Sequence, residues 1–129
     1  ATIRQHFQDL HTGPEAFDLI VTGDLGQLGK ELLLELARKE GISLGGKLAD
    51  CGTLVFDNTT HDVHSGGSGC GCSAITLCGS LLEELRKGKL KKLLFCGTGA
   101  LLSPTSTQQG LPIPGVCHAV AISGAREAE

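Results

Sequence analysis

The residues most able to do chemistry stand between His61 and Ala74. Here His61 and His64 precede Ser65, Gly66, Gly67, Ser68, Gly69, Cys70, Gly71 and Cys72, and a helix is predicted to start at about Ser73. A glycine-rich loop that opens a helix exposes backbone N–H groups at the positive end of the helix dipole. Such a loop can hold a carboxylate or a phosphate. The same glycines would also let the loop pack closely against a neighbouring strand, and residue types alone do not separate the two. No Lys-Ser or Lys-Thr follows, so this is not a Walker loop.

Three other chemistries are open to these residues. His61, His64, Cys70 and Cys72 have the element types for zinc, but H-x-x-H followed by C-x-C is not a structural zinc spacing. Loop histidines with small thiols are the simpler reading, and no metal is expected. Cys70 or Cys72 at a helix N-terminus would gain thiolate character, with His61, His64 or His118 as base. No third group to orient such a pair is evident. Gly97-Thr98-Gly99 has two glycines of a dinucleotide fingerprint, but a proline-bearing loop follows instead of a helix.

The elements that must position these groups read as an α/β layered domain. Ile3, Phe7 and Leu10 predict a first helix, which begins without a usual cap, as if cut from a longer chain. Asp18 to Gly23 is a continuous apolar run, the pattern of a buried parallel strand. Leu25, Leu28, Leu32 and Leu36 predict the buried stripe of a second helix, widened by Leu33 and Leu34 and stopped by Gly41. Thr53 to Phe56 is the candidate for a short strand between Asp50 and Asp57-Asn58. A third helix, Ser73 to Lys87, would bury Ala74, Cys78, Leu81, Leu82 and Leu85. Strands follow at Leu93 to Cys96, closed by Gly97-Thr98-Gly99, and at Val116 to Ile122. One domain is expected over 1–129, with 1–16 as partial helix and linker and 124–129 as a frayed tail.

Composition narrows the function classes. The chain is 40% hydrophobic with net charge −3, which suits a folded domain and not disorder. With four Phe, no Tyr and no Trp, it lacks the stacking platforms of single-strand binders, and its acidity opposes duplex binding. Six cysteines fit no compact disulfide scaffold. Cys78 and Cys96 sit in apolar runs and read as buried thiols, so a reducing compartment is expected. No secretory leader pattern is visible, and no run approaches the roughly 20 apolar residues of a membrane span. The basic cluster from Arg86 to Lys92 reads as a solvated helix end, with contact to anionic lipid as a further reading.

Four stretches carry a resemblance: Asp18-Leu-Ile-Val-Thr-Gly-Asp-Leu-Gly26, Asp50-Cys-Gly52, Asp62-Val-His-Ser-Gly-Gly-Ser-Gly-Cys-Gly-Cys-Ser-Ala74 and Gly97-Thr-Gly-Ala-Leu-Leu-Ser-Pro104. Over about Phe17 to Ile122 the chain resembles the stage V sporulation protein AD family. The resemblance implies the C-terminal half of a thiolase-like fold, a layered α-β-α arrangement with a small mixed sheet. Where condensing enzymes of that superfamily carry a catalytic His, this chain reads Thr22-Gly23-Asp24. Cys96 stands one residue off the place of a second thiolase cysteine. Condensing or acyl-transfer activity is therefore the alternative, and the reading assigns no catalytic residue, no metal and no cofactor.

The resemblance implies binding of dipicolinic acid or its calcium chelate, in uptake during sporulation and release in germination. It also implies work beside other proteins of a spore membrane channel complex, peripheral to the spore inner membrane. Asp24, His64, Ser65, Gly66, Gly67, Ser68 and Cys70 are the candidate ligand-binding residues, with Asp24 needing calcium as a bridge to a dianion. Ser65, Ser68 and Ser73 can supply hydroxyls. The helices carry more apolar surface than one small sheet covers. The N-terminal half of the same fold is the expected partner, and a homodimer is expected when the chain stands alone.

Overall fold

In the computed structural model, residues 1–56, 59–60 and 62–124 are described. The turn residues Asp57 and Asn58, the candidate base and metal ligand His61, and the tail beyond Gly124 lie outside them.

Four strands form one mixed sheet in the order β2-β1-β3-β4. Strand β1 (Leu19–Thr22) runs parallel to both β2 (Leu48–Asp50) and β3 (Lys92–Ala100), and β4 (Gly115–Ser123) returns antiparallel to β3. Ile20 and Val21 point to opposite faces and both are fully buried. Helices cover both faces at β1, which is why its sequence is an unbroken apolar run.

One face carries α1 (Thr2–Asp9) and α2 (Gly26–Lys39). There Ile3, Phe7, Phe17, Ile20, Ala37, Leu44, Leu94 and Cys96 form one core. The other face carries α3 (Cys51–Leu54) and a helix from Cys72 to Arg86. Val21, Cys51, Cys72, Leu81, Leu85 and Leu93 form the second core. The result is the expected α-β-α layering around a small mixed sheet. No described helix is long and apolar enough to cross a membrane.

Several local expectations change. Leu10 lies just past the end of α1 and is exposed. In α2 Ala37 packs in the core on the sheet with Leu33 and Leu34 beside it, and Gly26 is buried against Ser65 of the glycine-rich loop, whereas Leu28, Leu32 and Leu36 are 61%, 56% and 60% exposed. Helical periodicity identified two apolar arcs, and the one carrying Leu33, Leu34 and Ala37 is packed on the core. Gly41, at φ +76, ends this helix as expected.

The strand expected at Thr53–Phe56 lies earlier, at Leu48–Asp50, and Cys51–Leu54 is helical. Asp50 accounts for the break: its carboxylate accepts the Gly52 N–H at 3.0 Å and caps the turn.

The helix after the glycine loop starts in α form at Cys72–Thr76 (α4), passes through a π-turn at Leu77–Leu81 and resumes at Leu82–Arg86 (α5). The Ser80 hydroxyl donates to Thr76 O at 2.9 Å inside that turn. The extra residue rotates the buried stripe, so Thr76 is followed by Leu81 and Leu85. Ala74 and Cys78, expected inside, are exposed, and Leu82 is 37% exposed. Beyond Cys96, β3 does not close at Gly97-Thr98-Gly99 but runs through it, with Gly97 opposite His118 and Gly99 opposite Val116. The loop to β4 holds a short helix, α6 (Pro104–Gln108), capped by the Ser103 hydroxyl.

Candidate functional site

The carboxyl ends of β1, β2 and β3 meet the glycine-rich loop, where open α/β sheets place their ligands. The approach is close. A side chain on Gly23 would collide with the Thr98 hydroxyl, so only glycine lets the end of β1 lie against β3. Gly66, at φ +114, is equally required, since a Cβ there would strike Gly52 O.

Two carboxylates tie these turns together. Asp50 is fully buried. It accepts the Thr22 hydroxyl at 2.6 Å, Leu25 N–H and Gly26 N–H at 2.9 Å each, and Gly52 N–H at 3.0 Å. Asp24 accepts the Ser68 hydroxyl at 2.8 Å and Gly69 N–H at 3.1 Å on one oxygen, and the Thr98 hydroxyl at 3.3 Å on the other. Its own N–H donates to Thr98 Oγ1 at 3.1 Å. Backbone bonds complete the seating: Gly67 N–H to Gly52 O at 2.7 Å and Gln27 N–H to Ser65 O at 2.6 Å.

Of the candidate residues, Asp24 and Ser68 are thus in direct contact, and Ser65, Gly66 and Gly67 line the same seam. His64 turns outward. Its side chain is 88% exposed, with Nδ1 3.1 Å from Asp62 Oδ1. Cys70 is exposed at the loop's far end. Thr98 and Asp50 carry the architecture without having been candidates. Thr98 lies between two glycines that fail as a dinucleotide fingerprint, and Asp50 bounds the strand expected at Thr53–Phe56. The available signal was an acid directly ahead of Cys-Gly.

The thiols near the seam are held in their neutral form. Burial pushes Cys51 up to about 11, with Asp50 and the neighbouring Cys72 adding to the effect. Burial also raises Cys72, followed by Asp24 and Asp50. The thiolate character anticipated for Cys72 is reversed, because its sulfur points into the core toward carboxylates instead of toward open helix N–H groups. Away from the seam, burial and Cys117 raise Cys96 to about 12. His118 lies on β4 opposite Gly97. Among the described residues no group of three His, Cys, Asp or Glu side chains is arranged to hold a metal.

Among the described residues, a groove of about 560 Å³ lies at the opposite ends of the strands, lined by Phe7, Pro14, Ser43 and Lys47 among others.

The family model described as stage V sporulation protein AD matches residues 1–123. The chain is also 42% identical, over 119 residues, to a protein of Bacillus subtilis (strain 168) described as stage V sporulation protein AD. The match covers 92% of this chain and 35% of that relative, so the chain spans about a third of its length.

Proposed function

The chain belongs to the stage V sporulation protein AD family, and on that premise we propose that it is part of a non-enzymatic binding protein for dipicolinate or its calcium chelate. The observation that carries this reading is the clamp of Asp24 on Ser68 and Gly69. A serine- and glycine-rich loop is fixed in advance over the strand ends, so ordering it costs a ligand little. The Ser65 hydroxyl and the N–H groups of Cys70 and Gly71 have no hydrogen-bond partner among the described residues. They are suited to donate to a carboxylate. Asp24 faces the ligand best when calcium comes with it, the cation lying toward the carboxylate oxygen that only the long Thr98 bond occupies.

A binding role also agrees with the chemistry missing from the seam. The end of β1 carries no histidine, and Cys51 and Cys72 are kept protonated. In this reading the chain is one half of a thiolase-like fold, and the other half, elsewhere in the longer protein, covers Leu28, Leu32 and Leu36. The assembled protein sits on the inner spore membrane beside the other proteins of a dipicolinate channel complex.

Calorimetric titration of the full-length protein with dipicolinate, with and without calcium, tests the reading. Saturable binding is expected, tighter with calcium. No saturable heat in either condition would remove it.

A further inference from the structure

The basic segment that leads from α5 into β3 is only partly explained by the helix it ends. Arg86 and Lys87 close α5, where cations suit the negative end of the dipole, and both are committed to Glu83. The Arg86 guanidinium holds that carboxylate with two bonds of 2.7 Å each. Lys89, Lys91 and Lys92 lie beyond the helix. Among the described residues none of their three ammonium groups is in an ion pair, and that of Lys92 sits 4.9 Å over the Phe17 ring. The backbone fixes this turn. Gly88, at φ +71, takes the chain out of the helix. Lys89 N–H and Leu90 N–H donate to Glu84 O at 2.9 and 3.2 Å, and Lys91 N–H and Lys92 N–H donate to Asp18 Oδ2 at 2.7 and 2.9 Å. Lys89 and Lys91 are exposed.

Charge is unevenly spread along the chain. Residues 83–92 hold five of its 11 basic residues and two of its 14 acids, a net of +3 on a chain of net charge −3. The six basic residues and twelve acids elsewhere carry −6. Asp18 adds one acid at this end, and Lys47, which donates to Phe17 O at 2.8 Å, offsets it. The basic turn stands at the amino end of β3 and the seam of Asp24 and Thr98 at its carboxyl end. From Lys92 to Thr98 the strand spans about 20 Å. The screening length at physiological salt is about 8 Å, so the acids of the seam do not cancel the field of the turn.

We propose that this turn is the surface through which the protein contacts an anionic phospholipid bilayer, with the seam facing away from it. The kind of cation selects lipid over an acidic protein. The one guanidinium fork, the group that reads a fixed carboxylate, is already taken by Glu83. What remains is ammonium groups on flexible stems, point charges suited to headgroups that move in the plane of a bilayer. Lysine is depleted in the cores of protein interfaces. Leu90, the apolar residue among the lysines, packs against the second core and offers no anchor to a bound peptide. The inference rests on the membrane placement proposed above and assigns the face that makes it. It does not depend on what the seam binds.

Flotation of the full-length protein with vesicles of equal parts phosphatidylglycerol and phosphatidylcholine, against phosphatidylcholine alone, tests it. Binding to the anionic vesicles is expected, weakening as salt rises, with none to phosphatidylcholine. Lys89→Gln together with Lys91→Gln should weaken it about tenfold or more, since each lysine near such a surface strengthens partitioning about fivefold. Lys89→Arg together with Lys91→Arg should retain it. Both double variants should keep dipicolinate binding by calorimetry, which separates a failure of this inference from a failure of the binding reading. A wild type that ignores anionic vesicles, or binding that the glutamine pair leaves unchanged, would overturn the proposal and leave an acidic protein as the partner of this turn.

Discussion

Thr22 and Asp50 face each other across the ends of β1 and β2, the threonine hydroxyl donating to the carboxylate at 2.6 Å with both residues buried. The same carboxylate receives N–H groups from the β1–α2 turn and from α3. One side chain therefore sets the relative position of two crossover connections. Removing it would take the acceptor from four donors at once, three of them backbone N–H groups.

Asp50→Ala should lower the stability of the full-length protein by roughly 3–5 kcal/mol, the range for breaking a buried charged network. Asp50→Asn should cost less, because its amide oxygen still accepts. Urea unfolding of both variants measures the difference, and equal, small effects would contradict the assignment.

Ser68 ties the glycine loop to Asp24. Ser68→Leu should weaken dipicolinate binding by about tenfold or more, since loss of a hydrogen bond to a charged group removes about 1.5–3 kcal/mol of loop ordering. Hydrogen exchange should quicken at Gly69, whose N–H shares the same oxygen. Unchanged affinity together with unchanged exchange would show that the clamp does not matter.

The thiols give a pH prediction. Cys51 and Cys96 move from 9.0 to about 11 and about 12 on folding. A raised value means the folded state holds the proton more tightly. The contribution is complete below about pH 9 and is lost as pH rises through 11 to 12. Stability measured at successive pH values should fall over that window, and Cys51→Ala should flatten part of the fall. At pH 8, alkylation should reach the exposed Cys70 and Cys78 well before Cys51.

Leu32 is 56% exposed on α2. If the other half of the protein covers this face, Leu32→Lys in the full-length chain should cost about 2 kcal/mol or more, as for charge placed in an apolar contact. On an open helix surface the same change would stay within about 0.5 kcal/mol. Thermal or urea unfolding distinguishes the two.

Much of the molecule was legible in the residues themselves. Asp18 to Gly23 read as a buried strand because continuous apolar runs need cover on both faces, and β1 has it. Gly41 ended α2 because only glycine enters the left-handed region there without strain. The string from Val63 to Ala74 marked the loop and the family. Local chemistry carries all of these, so a single sequence suffices for them.

The tertiary structure alone decided the rest. Leu28, Leu32 and Leu36 repeat at helical spacing as well as any core stripe, but the arc of Leu33, Leu34 and Ala37 is the one packed on the core. The π-turn at Leu77–Leu81 carried the buried stripe from Cys72 and Thr76 to Leu81 and Leu85, with Ala74 and Cys78 outside it, and one added residue in a helix leaves no mark in composition. Asp24 and Thr98 are 74 positions apart, and Asp24 and Ser68 are 44 apart. Which carboxylate meets which hydroxyl is set by strand order, because parallel β1, β2 and β3 bring their carboxyl ends to one edge of the sheet. A pattern along the chain reports which residues prefer burial. Only the assembled sheet determines which of them meet.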